Sequence, residues 1–278
     1  MVPLAEAARV SHLLILSVPE AAHATVWESV APELGTDAHV GFLHGATPHF
    51  GVIKRPPASS FVLVAPKGPG ATLRDRFVRG LGIPALIAAE APADRLSDAW
   101  EVARLWATAI GCGRAGIIRS TFRDEAVADI FGEQAILCGG LVALMRESFE
   151  TLVEAGVAPE VAYIECIQEL KQIGDLVYER GIAGMRAAIS DTAEAGIEQA
   201  QRHLPVEAIR SGMERLLVAV QSGEFFREHL LDAAAGAPRL REARSAQAAS
   251  AMESTGAAVR SMYLPRPMTT HAQEPALS

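Results

Sequence analysis

The spacing of apolar positions divides the chain into two textures. Short β-rich apolar runs come first: LLILSVP (13–19), HVGFLHG (39–45), SFVLVAPKG (60–68), PALIAAE (84–90) and AGIIRST (115–121). Runs this short and this continuous predict strands buried on both faces. Between some of them, AAHATVWESVAPEL and RLSDAWEVARLWATAIG repeat apolar residues at helical spacing. Strands alternating with helices predict a parallel sheet with helices on both sides, over residues 1–120.

After Thr121 the strand pattern stops. Thr121-x-x-Asp124 resembles a capping box at a helix start, and Pro159 and Gly181 are placed to open and close a later helix. PVEAIRSGMERLLVAVQSGEFFREHLLDAAAG and an Ala/Ser-rich last helix complete an all-helical region over 121–263. The polar, proline-punctuated stretch 264–278 is expected to be disordered. No strand-to-helix glycine turn of the G-x-G-x-x-G kind is predicted. GLG (80–82) opens into a proline and a strand, and GCGRAG (111–116) is read as one residue off the glycine spacing and runs into AGIIRST, another strand.

Composition narrows the classes. Half of the 278 residues are hydrophobic and 21% are charged, so the chain is globular. A net charge of −8 argues against nucleic acid as the main partner. The three cysteines, Cys112, Cys138 and Cys166, form no C-x-x-C pair, which suits a reducing compartment and gives neither a disulfide framework nor a zinc knuckle. No apolar run was expected to reach the roughly 18 residues of a membrane span, and no signal peptide is read at the start. The expectation is a cytoplasmic protein with no membrane partner.

Two carboxylate pairs carry the chemistry. Asp129/Glu133 and Glu165/Glu169 each stand four apart, on one helix face. Alone, such a pair is a solvated face. Here neither pair has a Lys or Arg four residues away, and the flanking Ile130, Phe131, Ile164 and Ile167 make the helices apolar almost all round. That predicts burial, and buried carboxylates need a counter-charge. Four carboxylates without histidine or thiolate select a hard cation, magnesium or manganese, over zinc.

Several blocks, in order, carry a resemblance: HGATPHFG (44–51), VAPKGPG (64–70), GRAGII (113–118), FGEQAILCGG (131–140), ECIQELK (165–171) and GIAGMRAAISDTAEAG (181–196). Over residues 4–263 the chain resembles the short-chain ketol-acid reductoisomerases. The resemblance implies a partial Rossmann-like NADP-binding module followed by an interleaved helical domain. It implies alkyl migration on a 2-hydroxy-2-alkyl-3-keto acid of the acetolactate type, with two Mg2+ ions, then reduction by NADPH, in branched-chain amino acid biosynthesis. By the same resemblance Asp129, Glu133, Glu165 and Glu169 are metal ligands, and His44, Lys67 and Glu133 are catalytic. Ser190 holds the substrate carboxylate, and Ser17, Pro19 and Glu20 lie beside the nucleotide. His49 is read as structural and Cys138 as a small buried hydrophobe. The family's short-chain members are dimers, so a homodimer is implied in which one subunit gives Asp129/Glu133 and the other gives Glu165, Glu169 and Ser190.

The departures matter too. The family's first βαβ with its glycine turn is expected to be missing, so tight NADPH binding is not expected. Ala187 and Ala195 stand where the family has aromatics. Three readings stay open: an authentic reductoisomerase whose Met1 is an internal methionine; a relative performing a redox-neutral or secondary-metabolic rearrangement without tight nucleotide binding; and a non-catalytic truncated homologue.

Overall fold

The computed structural model describes residues 2–263; the expected disorder of 264–278 lies outside them. Each predicted strand is present: β1 (Leu13–Leu16), β2 (His39–Phe42), β3 (Ser60–Pro66), β4 (Ala85–Glu90) and β5 (Ile117–Arg119). Helices α1 (Leu4–Val10), α2 (Glu20–Val30), α3 (Ala46–His49), α4 (Gly70–Val78), α5 (Leu96–Ala109) and α6 (Phe122–Gly132) surround them. The strands lie side by side in the order β1-β2-β3-β4-β5.

The sheet is parallel except at one pair. β4 runs antiparallel to β3, with Pro66 opposite Ala85 and Phe61 opposite Glu90. The chain leaves β3, makes the short α4, and re-enters the sheet at the end it left, so no crossover back along the strand is needed. GCGRAG (111–116) does have the G-x-G-x-x-G spacing, but it leads from α5 into β5. Helix-to-strand order is the reverse of what a phosphate cradle needs.

β3 shows why the strands read as unbroken apolar runs. Phe61, Leu63 and Ala65 pack on one face of the sheet with Val40, Phe42 and Phe122. Val62 and Val64 pack on the other, with Ile87 and the small stripe Ala99, Ala103 and Ala107 of α5. Period-two alternation thus feeds two cores from one strand. The Phe42 and Phe61 rings meet edge-on at 4.8 Å, and truncating either to alanine should cost about 3–5 kcal/mol.

Among the described residues this α/β unit comprises 2–133 and 215–236, and a helical unit comprises 134–214 and 237–263. The helices after α6 are α7 (Gly139–Glu154), α8 (Pro159–Tyr163), α9 (Leu170–Arg186), α10 (Asp191–His203), α11 (Val206–Gln221), α12 (Glu224–Ala234), α13 (Pro238–Ala248) and α14 (Ala251–Tyr263), of which α12 and the end of α11 belong to the α/β unit. Thr121 caps α6 by accepting from the Asp124 amide at 2.9 Å. Pro159 sits in the first turn of α8, and Gly181 breaks α9 with a φ of 68°.

The helical unit has a small core: Phe149, Ala162, Tyr163, Met252 and Val259. α14 seats on α8, where Arg260 donates to the Tyr163 hydroxyl. Many of its apolar side chains face outward, Leu137, Val161, Ile173 and Ile182 among them. Cys138 is exposed as well, which corrects its reading as a buried hydrophobe. α6 and α7, joined by a π-helical turn, form one helix from Phe122 to Glu154 that is long and apolar enough by length and composition to cross a membrane. The expectation that no run reaches that length was wrong. The same composition suits a helix that buries its face in a protein partner.

Candidate active site

The C-terminal ends of β2 and β3 bring the chemistry together. His44 follows β2, Lys67 follows β3, and α6 carries Glu125, Asp129 and, at its end, Glu133. In open α/β sheets this edge, beyond the strand ends, is where ligands bind.

Lys67 Nζ donates to Glu125 Oε1 at 2.6 Å and to Asp129 Oδ1 at 2.8 Å. Glu125 is 1% exposed, and its second oxygen accepts the Gly45 amide at 2.7 Å. Gly45 has to be glycine, because a Cβ there would stand 2.5 Å from the Phe122 carbonyl and 3.0 Å from Glu125 Oε2. Burial alone would lower the Lys67 pKa, but the two carboxylates outweigh it and raise it, so the ammonium is charged at neutral pH.

His44 Nδ1 lies 2.6 Å from Glu20 Oε1. Its Nε2 is 3.5 Å from Asp129 Oδ2 and 3.9 Å from Glu125 Oε2, and is buried without a hydrogen-bond partner. Burial pulls the imidazole pKa down; the Glu20 hydrogen bond and the Glu125 and Asp129 charges overcome this and raise it. Partial burial, then the Asp129 charge, push the Glu133 carboxyl up, an effect weakened by that side chain's remaining exposure.

Metal fits this donor set. Ligand atoms of His44, Glu125 and Asp129 lie within 4.8 Å of one another. The oxygens are hard donors, Lys67 already shows that the carboxylates gather positive charge, and His44 Nε2 has no hydrogen-bond partner. The assumption that Asp129 lacks a basic partner is corrected: Lys67 supplies it from a strand end 62 residues away.

Glu133 is exposed, as are Glu165 and Glu169 in the helical unit. The predicted burial therefore fails for the whole second pair and for Glu133 of the first, and only Asp129 is half-buried. Ser190 is also exposed and caps α10, accepting from the Ala193 amide at 3.2 Å. Ser17 and Pro19 are exposed, whereas Glu20 turns its carboxylate to His44. His49 lies in a tilted arrangement 4.6 Å from Phe50, which itself stacks on Phe226; it packs the loop. Glu125 was missed, although Glu125, Asp129 and Glu133 stand at i, i+4 and i+8 on one face.

Each acidic pair adjoins a π-helical turn, Glu133–Leu137 in one case and Ile164–Gln168 in the other. Such turns insert an extra residue into a helix and recur at functional sites. In the first, a Cβ on Gly139 would run into the Gln134 carbonyl and one on Gly140 into the Ala135 carbonyl. The glycine pair is therefore the steric condition for the turn.

Comparison with known proteins agrees with this geometry. Residues 1–116 match the acetohydroxy acid isomeroreductase NADPH-binding domain, and residues 122–264 the ketol-acid reductoisomerase C-terminal domain. Among solved structures, an NADH-preferring ketol-acid reductoisomerase from an uncultured archaeon is 36% identical, with a TM-score of 0.88 over 95% of this chain and 80% of that one. A semialdehyde dehydrogenase NAD-binding protein from Cupriavidus necator shares the fold at 20% identity and a TM-score of 0.53, over 77% of this chain and 82% of that one. A putative oxidoreductase from Jannaschia sp. CCS1 does so at 13% identity and 0.55, over 77% and 78%. The chain belongs to the ketol-acid reductoisomerase family.

Proposed function

We propose that the protein converts a 2-hydroxy-2-alkyl-3-keto acid of the acetolactate type by alkyl migration and then hydride reduction, a step of branched-chain amino acid biosynthesis in the cytoplasm. The observation that carries this is the convergence of Lys67, Glu125, Asp129 and His44 beyond the ends of β2 and β3. Bound Mg2+ would polarise the ketone and hydroxyl oxygens of the substrate as a Lewis acid.

Asp129 and Glu133 would hold the metal together with Glu165 and Glu169 of a second copy, in a homodimer with two composite sites. The outward apolar side chains of the helical unit and the exposure of Glu165 and Glu169 support that assembly. Lys67 keeps Asp129 oriented and lends positive charge where the oxygen of the ketone that receives the alkyl group becomes anionic. Glu125 holds Lys67 and the Gly45 peptide in place. Ser190 and the N-terminus of α10 suit the substrate carboxylate. The matched domain description supports NADPH as hydride donor; the solved relative prefers NADH.

Incubation of the purified chain with 2-acetolactate and Mg2+, with NADPH, with NADH and without nucleotide, tests this by mass and chromatographic identification of products. The dihydroxy acid is expected with a nucleotide. A rearranged 3-hydroxy-2-keto acid regardless of nucleotide would support the redox-neutral reading, and unchanged substrate in every arm would overturn both.

A further inference from the structure

The first turn of α2 is fastened to the segment after β2 at two points. His23, buried, has Nδ1 2.9 Å from Thr47 Oγ1 and Nε2 3.0 Å from the Val18 carbonyl. A carbonyl can only accept, so Nε2 carries the proton and Nδ1 accepts from the threonine hydroxyl. One turn earlier Glu20, the first residue of α2, lies 2.6 Å from His44 Nδ1. A carboxylate likewise only accepts, so in the neutral ring Nδ1 is the protonated nitrogen of His44. The other nitrogen is thereby presented toward Asp129 at 3.5 Å, buried and without a hydrogen-bond partner. A ring flip would put carbon where Nε2 now stands and would break the Glu20 bond.

We propose that Glu20 is a positioning residue: its carboxylate fixes the ring orientation and tautomer of His44, so that Nε2 faces the reaction space beside Asp129. This rests on the reductoisomerase reading for its kinetic consequence and replaces the assignment of Glu20 to nucleotide contact. The logic is that of a base held by a third group, in which the orienting carboxylate touches neither substrate nor cofactor. Helix geometry favours the arrangement, because the amide end of α2 attracts a negative side chain in its first turn.

The test compares Glu20→Leu, which removes the acceptor, with Glu20→Gln, whose amide oxygen can still accept. Loss of an orienting partner of this kind costs roughly 10- to 100-fold. In Glu20→Leu, kcat should fall by that much, with KM for both acetolactate and nucleotide within about twofold of wild type, and Glu20→Gln should recover part of the loss. Two-bond 1H–15N spectra of the metal-free chain give an independent reading. Above the pH at which His44 titrates, wild type should show the neutral ring protonated at Nδ1, and Glu20→Leu should lose that pattern. If Glu20→Leu leaves both kcat and the His44 pattern unchanged, the proposal is overturned. A raised nucleotide KM at unchanged kcat also overturns it, in favour of nucleotide contact. If wild type has no turnover, the reductoisomerase reading fails, and the spectra alone decide the role of Glu20. Should Glu20→Leu lose its thermal transition, Glu20→Met, unbranched and equally without an acceptor, is read by the same measurements.

Discussion

Asp129 and Glu133 share their spacing with Glu165 and Glu169, and each pair adjoins a π-helical turn. Their surroundings differ. Asp129 is held by Lys67 and faces His44. Glu165 and Glu169 are exposed and, among the described residues, their side chains make no hydrogen bond or ion pair. Exposed like charges at this spacing cost only a few tenths of a kcal/mol, so the chain tolerates the second pair as it stands. Burying it would need a counter-charge, which in the proposed dimer is the metal held with the partner's Asp129 and Glu133. The first pair has one member, Asp129, compensated within its unit; the second has neither and waits for compensation from outside.

The sharpest way to break this comparison is to damage each pair separately. Asp129→Asn and Glu165→Gln homodimers should each lose Mg2+ binding and activity by two orders of magnitude or more. Unfolded and refolded together, they should recover up to about a quarter of the wild-type binding capacity, because half of random dimers carry one whole site of two. No recovery in the mixture, while wild type refolds normally beside it, would refute the shared site.

The next largest effect concerns stability without metal. Lys67→Met leaves Glu125, 1% exposed, without its counter-ion, and should destabilise the metal-free chain by about 3 kcal/mol in urea unfolding. Glu165→Gln should change it by less than about 0.5 kcal/mol. Comparable losses from both would mean that the second pair is also compensated within one chain.

These expectations separate what the sequence could reveal from what it could not. The strands were legible because β3 is apolar on both faces from Phe61 onward, and the carboxylate pairs because i, i+4 spacing is local. Glu125 was not, since its burial depends on Lys67 and Gly45, which are distant in sequence and meet it only in the fold. The antiparallel β4 was hidden for the same reason: strand direction is set by how the connection returns, and an apolar run carries no direction. The Glu20–His44 bond joins two residues 24 apart, each at the end of an unremarkable local pattern.

A smaller effect probes how the first pair is built. Gly140→Ala would bring a methyl group onto the Ala135 carbonyl inside the π-helical turn. Relief requires straightening or shifting the helix, so a loss of about 1–3 kcal/mol is expected, together with weaker Mg2+ binding by titration calorimetry. Gly174→Ala, in α9 after the second turn, meets nothing within 4 Å and should be neutral or slightly stabilising. Equal effects at the two glycines would show that the first turn does not depend on its glycine pair.

The smallest effect is pH-dependent. The His44 pKa in the folded protein is raised above 6.5 by Glu20, Glu125 and Asp129 acting against burial. Protonated His44 therefore favours the folded state. This contribution is full below the unfolded-state value near 6.5 and is lost as pH rises through the higher folded value. Lys67 is raised in the same sense, but from 10.5, so its contribution persists across this range. The raised Glu133 carboxyl acts near its ordinary acid range, from 4.5 upward, and so bears mainly on the acid side. His23, His39 and His49 are lowered by burial and act in the opposite sense around and below 6.5. The window is therefore about pH 7.5 to pH 9, where the metal-free chain should lose stability at a slope of less than one proton, measured by urea unfolding in EDTA. His44→Asn should flatten that slope, and Glu165→Gln should leave it unchanged, because no titrating base faces the second pair among the described residues. A slope that survives His44→Asn would move the titration to another group and remove this asymmetry between the two pairs.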